Sequence, residues 1–195
     1  MTIARIVFTA LLCVLPCWAQ GVNIVQNTGL ELGTQDWHIN SIIIGRNATW
    51  AHTGLGAARS SCAGAACIDT LGQGSFISQV LPASYGAQYE LSFWVRNTSS
   101  AGEFSVFWDG VMIADQLSPV GPMLNYRYSG LAVSGSAVLL ELHGRADGAV
   151  ISFDDIVVQQ AGMVPEPLTC VMLCAGAGVL ALALRRRERW AAGLD

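Results

Sequence analysis

Lysine is absent from this sequence, and all ten basic residues are arginines. Five of them lie in residues 20–160, where eleven acidic residues give the span a formal charge of −6. Four of the other five lie in residues 185–189, so the central part of the chain has no run of basic residues. Proteins that bind nucleic acids present a basic surface to the phosphates. We therefore exclude nucleic-acid binding.

Recognisable catalytic motifs are also absent. The three histidines, His38, His52 and His143, show no spacing typical of metal ligands. The sequence contains neither a G-x-S-x-G nucleophile motif nor an H-E-x-x-H zinc motif. We expect a protein that is not an enzyme. Two carboxylates that meet in the folded chain would still suffice for glycoside hydrolysis, so a hydrolase stays open as an alternative.

Long apolar runs occur only at the two ends of the chain. At the N-terminus, Arg5 precedes an apolar run over residues 6–15, which ends before a candidate cleavage site after Ala19. This order is typical of a cleavable secretory signal peptide, which we place at residues 1–19. An apolar run this short does not easily span a bilayer. We therefore expect an exported chain with an ectodomain at residues 20–160.

The C-terminal run covers residues 168–184, which are 17 uncharged and mostly apolar residues. As a helix it would be about 26 Å long, which is sufficient for a thin membrane. The arginines that follow are expected to stay in the cytoplasm, which places residues 185–195 inside and the ectodomain outside. The sequence thus predicts a transmembrane helix at residues 168–184, joined to the ectodomain by a linker at residues 161–167.

The linker contains a short motif, Val164-Pro165-Glu166-Pro167, whose two prolines keep it extended and out of the helix. The motif, the apolar helix and the cluster that includes Arg185-Arg186-Arg187 follow one another as in the PEP-CTERM sorting signal of Gram-negative bacteria, which this tail resembles. The resemblance implies recognition by exosortase, a membrane cysteine transpeptidase. It also implies removal of the helix and export to the cell surface or its polysaccharide matrix. A rigid linker before an ordinary membrane anchor is the alternative.

Alternating apolar residues dominate the ectodomain, and long helical periodicity is absent. The clearest strand covers residues 88–96, in which Trp94 and Arg96 fall on the face opposite the apolar residues. Asp109-Gly110 is typical of a hairpin turn between two strands. Residues 54–66 are rich in glycine, alanine and serine and predict a loop. Further strands are predicted at residues 22–26, 42–44, 76–81, 104–108, 111–113, 126–133, 138–142 and 151–157.

Short strands separated by glycine, serine and proline favour an all-β fold, an antiparallel sandwich. In the last predicted strand, simple alternation places Ile151, Phe153, Asp155 and Val157 on one face.

The order of short motifs in the ectodomain resembles the galactose-binding-like jelly rolls, which include many carbohydrate-binding modules. The resemblance rests on residues 23–31 with Trp37, on residues 76–80 and 89–94, and on Phe153-Asp154-Asp155-Ile156-Val157-Val158. It implies a jelly-roll sandwich in which the first and last strands lie close together.

The same resemblance implies a structural calcium ion bound by Glu31 and Asp154, with Asp155 as the second choice. Hard carboxylate oxygens suit Ca²⁺. Surface carboxylates at strand ends are the alternative interpretation.

Cys62 and Cys67 are the two cysteines of the ectodomain, and an oxidising compartment favours a disulfide between them. Two cysteines alone make no closed zinc site. The Trp94 ring would offer a flat apolar face to a sugar, with Arg96 beside it, so we regard both as candidate ligand-binding residues. Trp108 is in phase with apolar neighbours, and we expect it in the core.

Together these observations predict a non-catalytic exported surface or matrix protein, sorted by exosortase and associated with extracellular polysaccharide or biofilm. A carbohydrate-binding module that recognises a glycan non-covalently is the first alternative, and an extracellular polysaccharide hydrolase is the second. The expected partners are exosortase, extracellular polysaccharide and, before processing, the inner membrane.

Overall fold

Ten β-strands form two antiparallel sheets in the computed structural model, which describes residues 21–68, 74–98, 102–148 and 150–162. The first sheet has the strand order β1-β4-β9-β6-β7, and the second has the order β2-β3-β10-β5-β8. The strands are β1 His38–Asn40, β2 Ile43–Arg46, β3 Gly56–Ser60, β4 Phe76–Pro82, β5 Gln88–Asn97, β6 Gly102–Trp108, β7 Val111–Leu117, β8 Leu124–Ala132, β9 Ala137–Ala146 and β10 Ile151–Gln160.

The core lies between the two sheets and is built from the inward residues of each strand. Phe93 of β5, Phe104 of β6 and Phe153 of β10 are fully buried, and their ring centroids lie 5.6 to 6.4 Å apart. Trp108 is also buried in this core, as predicted. Alternation explains the layers, because every second residue of a strand points to the same face. The predicted antiparallel all-β sandwich is confirmed.

Most of the predicted strands are present, and the predicted hairpin joins β6 to β7. Asp109 and Gly110 both have positive φ angles, of 51° and 81°. A type I′ turn requires this pair of conformations, and its twist matches that of the flanking strands. The conformations of these two adjacent residues therefore account for the hairpin.

Two predictions of local structure are wrong, and one short strand was missed. Residues 54–66 are not a continuous loop, because Gly56–Ser60 form β3, which pairs with both β2 and β10. Apart from Arg59, the residues of this strand are small and buried, and they give no apolar alternation. Residues 22–26 form no strand; Asn23 makes only an isolated bridge to Gln159. The short strand β1, His38–Asn40, was not predicted.

A β-bulge in β10 changes which of its residues face the core. Between Asp154 and Val157, β10 carries one residue more than its partner β5, and Asp155 has a φ angle of 46°. The phase of alternation shifts at such an insertion. Ile156 and Val158 are fully buried as a result. The prediction that Asp155 and Val157 share one face with Ile151 and Phe153 is wrong.

Residues Val22–Gly162 form one compact unit. The predicted signal peptide at residues 1–19, the transmembrane helix at 168–184, the tail at 185–195 and most of the linker lie outside the described residues. Within the residues that the structure describes, no helix is long and apolar enough to cross a membrane.

Candidate functional site

The outer face of the second sheet carries the residues that the sequence singled out. Trp94 and Arg96 of β5 point away from the core, as predicted, and residues 47–55, which join β2 to β3, fold over them. We call residues 47–55 the covering loop. The His52 ring of this loop stacks on the Trp94 ring, with centroids 3.6 Å apart and planes 10° from parallel. Arg96 donates from Nη1 to the carbonyl of Thr49.

The stacked His52 ring covers part of Trp94, the candidate sugar platform. One face of the Trp94 indole is occupied by the imidazole, so a sugar at that face would have to displace His52. The role of Trp94 and Arg96 in ligand binding stays a prediction.

Asp154 and Asp155 hold the covering loop against β10. The buried Asp154 accepts the backbone N–H groups of His52 and Thr53 at Oδ2, at 2.6 and 3.0 Å, and that of Asp155 at Oδ1, at 2.7 Å. Asp155 accepts the Thr53 hydroxyl at 2.7 Å and lies 2.6 Å from Nδ1 of His52. Burial raises the pKa of Asp154 to about 6, although the backbone donors lower it. The loop is thus fixed mainly by hydrogen bonds to two adjacent carboxylates.

Glu31 contacts the other end of the covering loop. Its Oε1 accepts the backbone N–H groups of Leu55 and Gly56, both at 2.6 Å, and Oε2 lies 3.4 Å from the Arg46 guanidinium. These two backbone donors, with a smaller contribution from Arg46, hold the pKa of Glu31 below its ordinary value.

The three carboxylates predicted to bind calcium lie close to one glycine. A Cβ atom added at Gly29 would lie 3.4 Å from Asp155 Oδ1, 3.9 Å from Asp154 Oδ1 and 3.9 Å from Glu31 Cγ. Their oxygens and negative charge suit a calcium ion. However, several backbone N–H groups already point at them, and among the described residues no three acidic, histidine or cysteine side chains are arranged to hold a metal. Calcium at Glu31 and Asp154 stays a prediction.

The predicted Cys62–Cys67 disulfide is present on the outer side of the first sheet. The Cys62 carbonyl accepts the backbone N–H of Ala146 at 2.9 Å, and the Ser105 hydroxyl donates to the Ile68 carbonyl at 3.0 Å. The bridge therefore stiffens a segment that is attached to β6 and β9.

A buried polar pair lies on the same face of the first sheet. Nε2 of His143 is 3.5 Å from Oε2 of Glu141, and both side chains are almost fully buried. The Phe76 and Phe107 rings pack 5.0 and 4.9 Å from the imidazole. Burial lowers the pKa of His143, although Glu141 opposes this effect. The histidine is therefore neutral at neutral pH and belongs to the packing of this face.

A cavity of about 620 Å³ opens at one end of the sandwich. It lies between the β4–β5 turn, the β6–β7 hairpin and the β8–β9 turn, and its lining is mostly apolar, with Trp108, Val111, Leu131 and Val133 among its residues. The Trp108 indole donates to the Ala132 carbonyl at 2.9 Å, which fixes the ring in the wall. Its volume lies in the range of ligand pockets, and it is open to solvent on one side.

Tyr85 lies at the mouth of this cavity and is 83% exposed. It occupies the tip of a turn in which the N–H of Ala87 donates to the Ser84 carbonyl at 3.0 Å and Gly86 has a φ angle of 74°. Glycine at this position is what a type II turn requires. The N–H of Gly86 also donates to the Val133 carbonyl at 3.0 Å, so the turn is anchored to the opposite wall. The backbone thus presents an aromatic ring to solvent.

Sequence reasoning missed this cavity and Tyr85. Gly86 indicates a turn between two predicted strands, but it does not predict an exposed ring, and the other walls of the cavity come from distant parts of the chain. Their proximity depends on the pairing of β8 with β5 and of β7 with β6.

Comparison with protein-family models identifies the tail. The model described as the PEP-CTERM protein-sorting motif matches residues 164–187, which confirms the predicted motif from Val164 to Arg187. The motif implies an exported protein that exosortase processes. None of the curated proteins matches the sequence.

Comparison with solved structures identifies the fold of the ectodomain. TmCBM61, solved in complex with beta-1,4-galactotriose, has a TM-score of 0.56 at 17% identity over 71% of this chain and 99% of that chain. The CBM22-1 xylan-binding domain of Paenibacillus barcinonensis Xyn10C has a TM-score of 0.52 at 17% identity, over 72% of this chain and 95% of that chain. A family 16 carbohydrate-binding module has a TM-score of 0.53 at 14% identity, over 70% of this chain and 99% of that chain. The sandwich therefore has the jelly-roll fold of carbohydrate-binding modules.

Proposed function

We propose that this protein is an exported surface or matrix protein whose jelly-roll ectodomain binds carbohydrate without cleaving it. The sorting motif supports export to the surface or matrix, and the jelly-roll fold supports carbohydrate as the class of ligand. Extracellular polysaccharide, including that of a biofilm, is the partner that this destination offers.

The observation that carries the proposal is the exposed Tyr85 ring at the mouth of an apolar cavity. A flat aromatic ring packs against the C–H face of a pyranose, and the Tyr85 ring is exposed to solvent and therefore available for such packing. Val111, 63% exposed, extends the apolar rim, while Asp109 and Ser134 supply polar groups to the same opening. This combination of an apolar platform with a few polar groups is typical of ligand sites.

Glycoside hydrolysis is disfavoured at this cavity. The reaction needs a pair of carboxyl groups on either side of the scissile bond. Among the described residues that line the cavity, Asp109 is the one carboxylate. A binding role therefore fits the cavity better than hydrolysis.

Glycan binding by the full chain tests the proposal. The purified protein is screened on an array of neutral oligosaccharides, and affinities for the hits are measured by calorimetry. We expect Tyr85→Ala to weaken binding about tenfold or more, which corresponds to about 1.4 kcal/mol. Tyr85→Phe keeps the ring and should retain most of the affinity. Val80→Ala, at an exposed residue of the first sheet, is the control. Equal affinities for Tyr85→Ala and the wild type would refute the site.

The destination is tested separately in a host that contains exosortase and in its isogenic deletion strain. Intact mass after cell fractionation should show loss of the segment beyond the PEP motif only when the enzyme is present. A full-length protein in the inner membrane of both strains would mean that the tail is an ordinary anchor.

A further inference from the structure

Two arginines flank one serine on the outer face of the second sheet. Ser152 of β10 is directly opposite Arg59 of β3 on one side and opposite Arg96 of β5 on the other. Its neighbours Ile151 and Phe153 are in the core, so Ser152 points outward. Adjacent strands are about 4.8 Å apart, which places the backbones of the two arginines about 10 Å apart on one face.

The guanidinium groups of these arginines converge on one aromatic ring. The Cζ atoms of Arg59 and Arg96 lie 5.9 and 5.6 Å from the centroid of the Trp50 ring in the covering loop. Gly45 of β2 makes room for this arrangement, because a Cβ atom there would lie 2.5 Å from Nη2 of Arg59. The cluster of Trp50, Arg59, Arg96 and Ser152 is called the arginine pair site below.

The charges of this cluster have no anionic partner in the part of the chain that the structure describes. The other arginines with ion pairs use Glu31, Glu103 and Asp147. Neither Arg59 nor Arg96 forms an ion pair with a described carboxylate. The nearby Asp154 and Asp155 are instead engaged by backbone N–H groups and by the side chains of the covering loop.

Hydrogen-bonding groups in the same cluster are also unused. Nε of Arg59, Nε of Arg96 and the hydroxyl of the fully buried Ser152 are shielded from solvent and have no partner among the described residues. Polar groups that are shielded from water are normally hydrogen-bonded, and leaving them unpaired is costly. Two arginines without a carboxylate partner in the described part of the chain, beside an unpaired hydroxyl, form a cationic cluster that suits an anionic ligand, although Nη1 of Arg96 already donates to Thr49.

We propose that the arginine pair site binds the carboxylate of an acidic sugar, so that the protein recognises an anionic, uronate-type polysaccharide. Guanidinium groups bind carboxylates through paired, charge-assisted hydrogen bonds. The Trp50 ring supplies the apolar surface beside them that a pyranose requires. The ligand class rests on the proposed carbohydrate binding, but the site is separate from the cavity at Tyr85.

The net charge of the domain opposes the binding of any polyanion at long range, because residues 20–160 carry a formal charge of −6. Binding of a uronate therefore has to come from the local pair of cations in the arginine pair site.

Matched polymers test this inference with the full chain. Polygalacturonate is compared with its methyl ester, in which the backbone is the same and the charge is removed, and alginate serves as a second uronate. We expect the wild type to bind polygalacturonate or alginate at least tenfold more tightly than the ester at 50 mM salt. The preference should decrease at 300 mM salt, because screening weakens the ion pairs.

Single substitutions locate the binding. Arg59→Gln and Arg96→Gln should each lower the affinity for the uronate polymer at least tenfold. Arg127→Gln changes the net charge equally at an exposed arginine of the same face, and it should stay within twofold of the wild type. The thermal midpoint of each variant is measured as a check on folding. A loss of affinity in Arg59→Gln is easier to interpret than one in Arg96→Gln, because Arg96 also holds the covering loop.

Three results would overturn the inference: no binding of either uronate polymer, equal affinity for the polymer and its ester, or equal loss in all three arginine variants. Binding of neutral glycans, measured in the Tyr85 experiment, distinguishes a failure of this inference from a failure of the proposed carbohydrate binding. If a neutral glycan still binds through Tyr85 while both uronates do not bind, only the arginine pair site is refuted.

Discussion

Replacing Gly56 by alanine should destabilise the sandwich by about 1–3 kcal/mol, because the added methyl group meets backbone atoms that cannot rotate away. A Cβ atom at Gly56 would lie 2.5 Å from the carbonyl carbon and oxygen of Leu30 and 2.6 Å from the carbonyl oxygen of Gly29. Leu30 is fully buried, so the segment cannot shift without disturbing the core. The N–H of Gly56 also donates to Glu31 at 2.6 Å, so the clash reaches the covering loop.

Equilibrium unfolding in urea measures this effect, with Gly135→Ala as the matched control. The nearest atoms to a Cβ at Gly135 are the carbonyl oxygen and the nitrogen of Ala137, at 3.6 and 3.9 Å, which is ordinary contact. The control should be neutral or stabilised by up to about 1 kcal/mol through the unfolded state. For a domain of this size the Gly56 variant should also melt about 4 °C lower for each kcal/mol lost. Equal stabilities of the two variants would refute the close approach of β3 to Leu30.

Three further results are expected. Replacing Cys62 and Cys67 by serine should cost about 2 kcal/mol, since the bridge closes a short loop, and an unchanged urea midpoint would argue against this. Burial lowers the pKa of His143, so the unfolded chain binds a proton at higher pH than the folded chain does. Stability should therefore fall as the pH decreases from about 6.5 through the folded pKa, and His143→Gln should remove that slope between pH 7.5 and 5.5. Finally, if Glu31 and Asp154 bind calcium as predicted, the thermal midpoint should be several degrees higher in calcium than in EDTA, because a cation would offset the buried charge of Asp154. Equal midpoints in calcium and in EDTA would contradict the site.

Much of the fold was predictable because its signals are local. Alternating residues indicated β5, β6 and β9, and the Asp109-Gly110 pair indicated the hairpin. The strand β3 was missed because Gly56–Ser60 has small residues and no alternation, and its identity as a strand comes from its partners β2 and β10. The bulge at Asp155 was missed because an inserted residue leaves no local sequence pattern.

The candidate sites were predictable only in part. Trp94 and Arg96 were assigned correctly to the outer face, but the stacking of His52 on Trp94 depends on how the covering loop folds back. Tyr85 lies at a turn that the sequence indicates, whereas the cavity beside it needs three separate turns to meet at one end of the sandwich.

The sequence by itself identified the sorting motif of this protein. The PEP motif, the apolar run and the arginine cluster are contiguous, and a processing enzyme that reads an extended peptide requires no tertiary structure. The tertiary structure decided which side chains lie together. Arg59, Arg96 and Ser152 are far apart in sequence and meet because of the register of β3, β10 and β5. Register follows from the packing of the whole core, since a shift by one residue would turn every side chain of a strand to the other face.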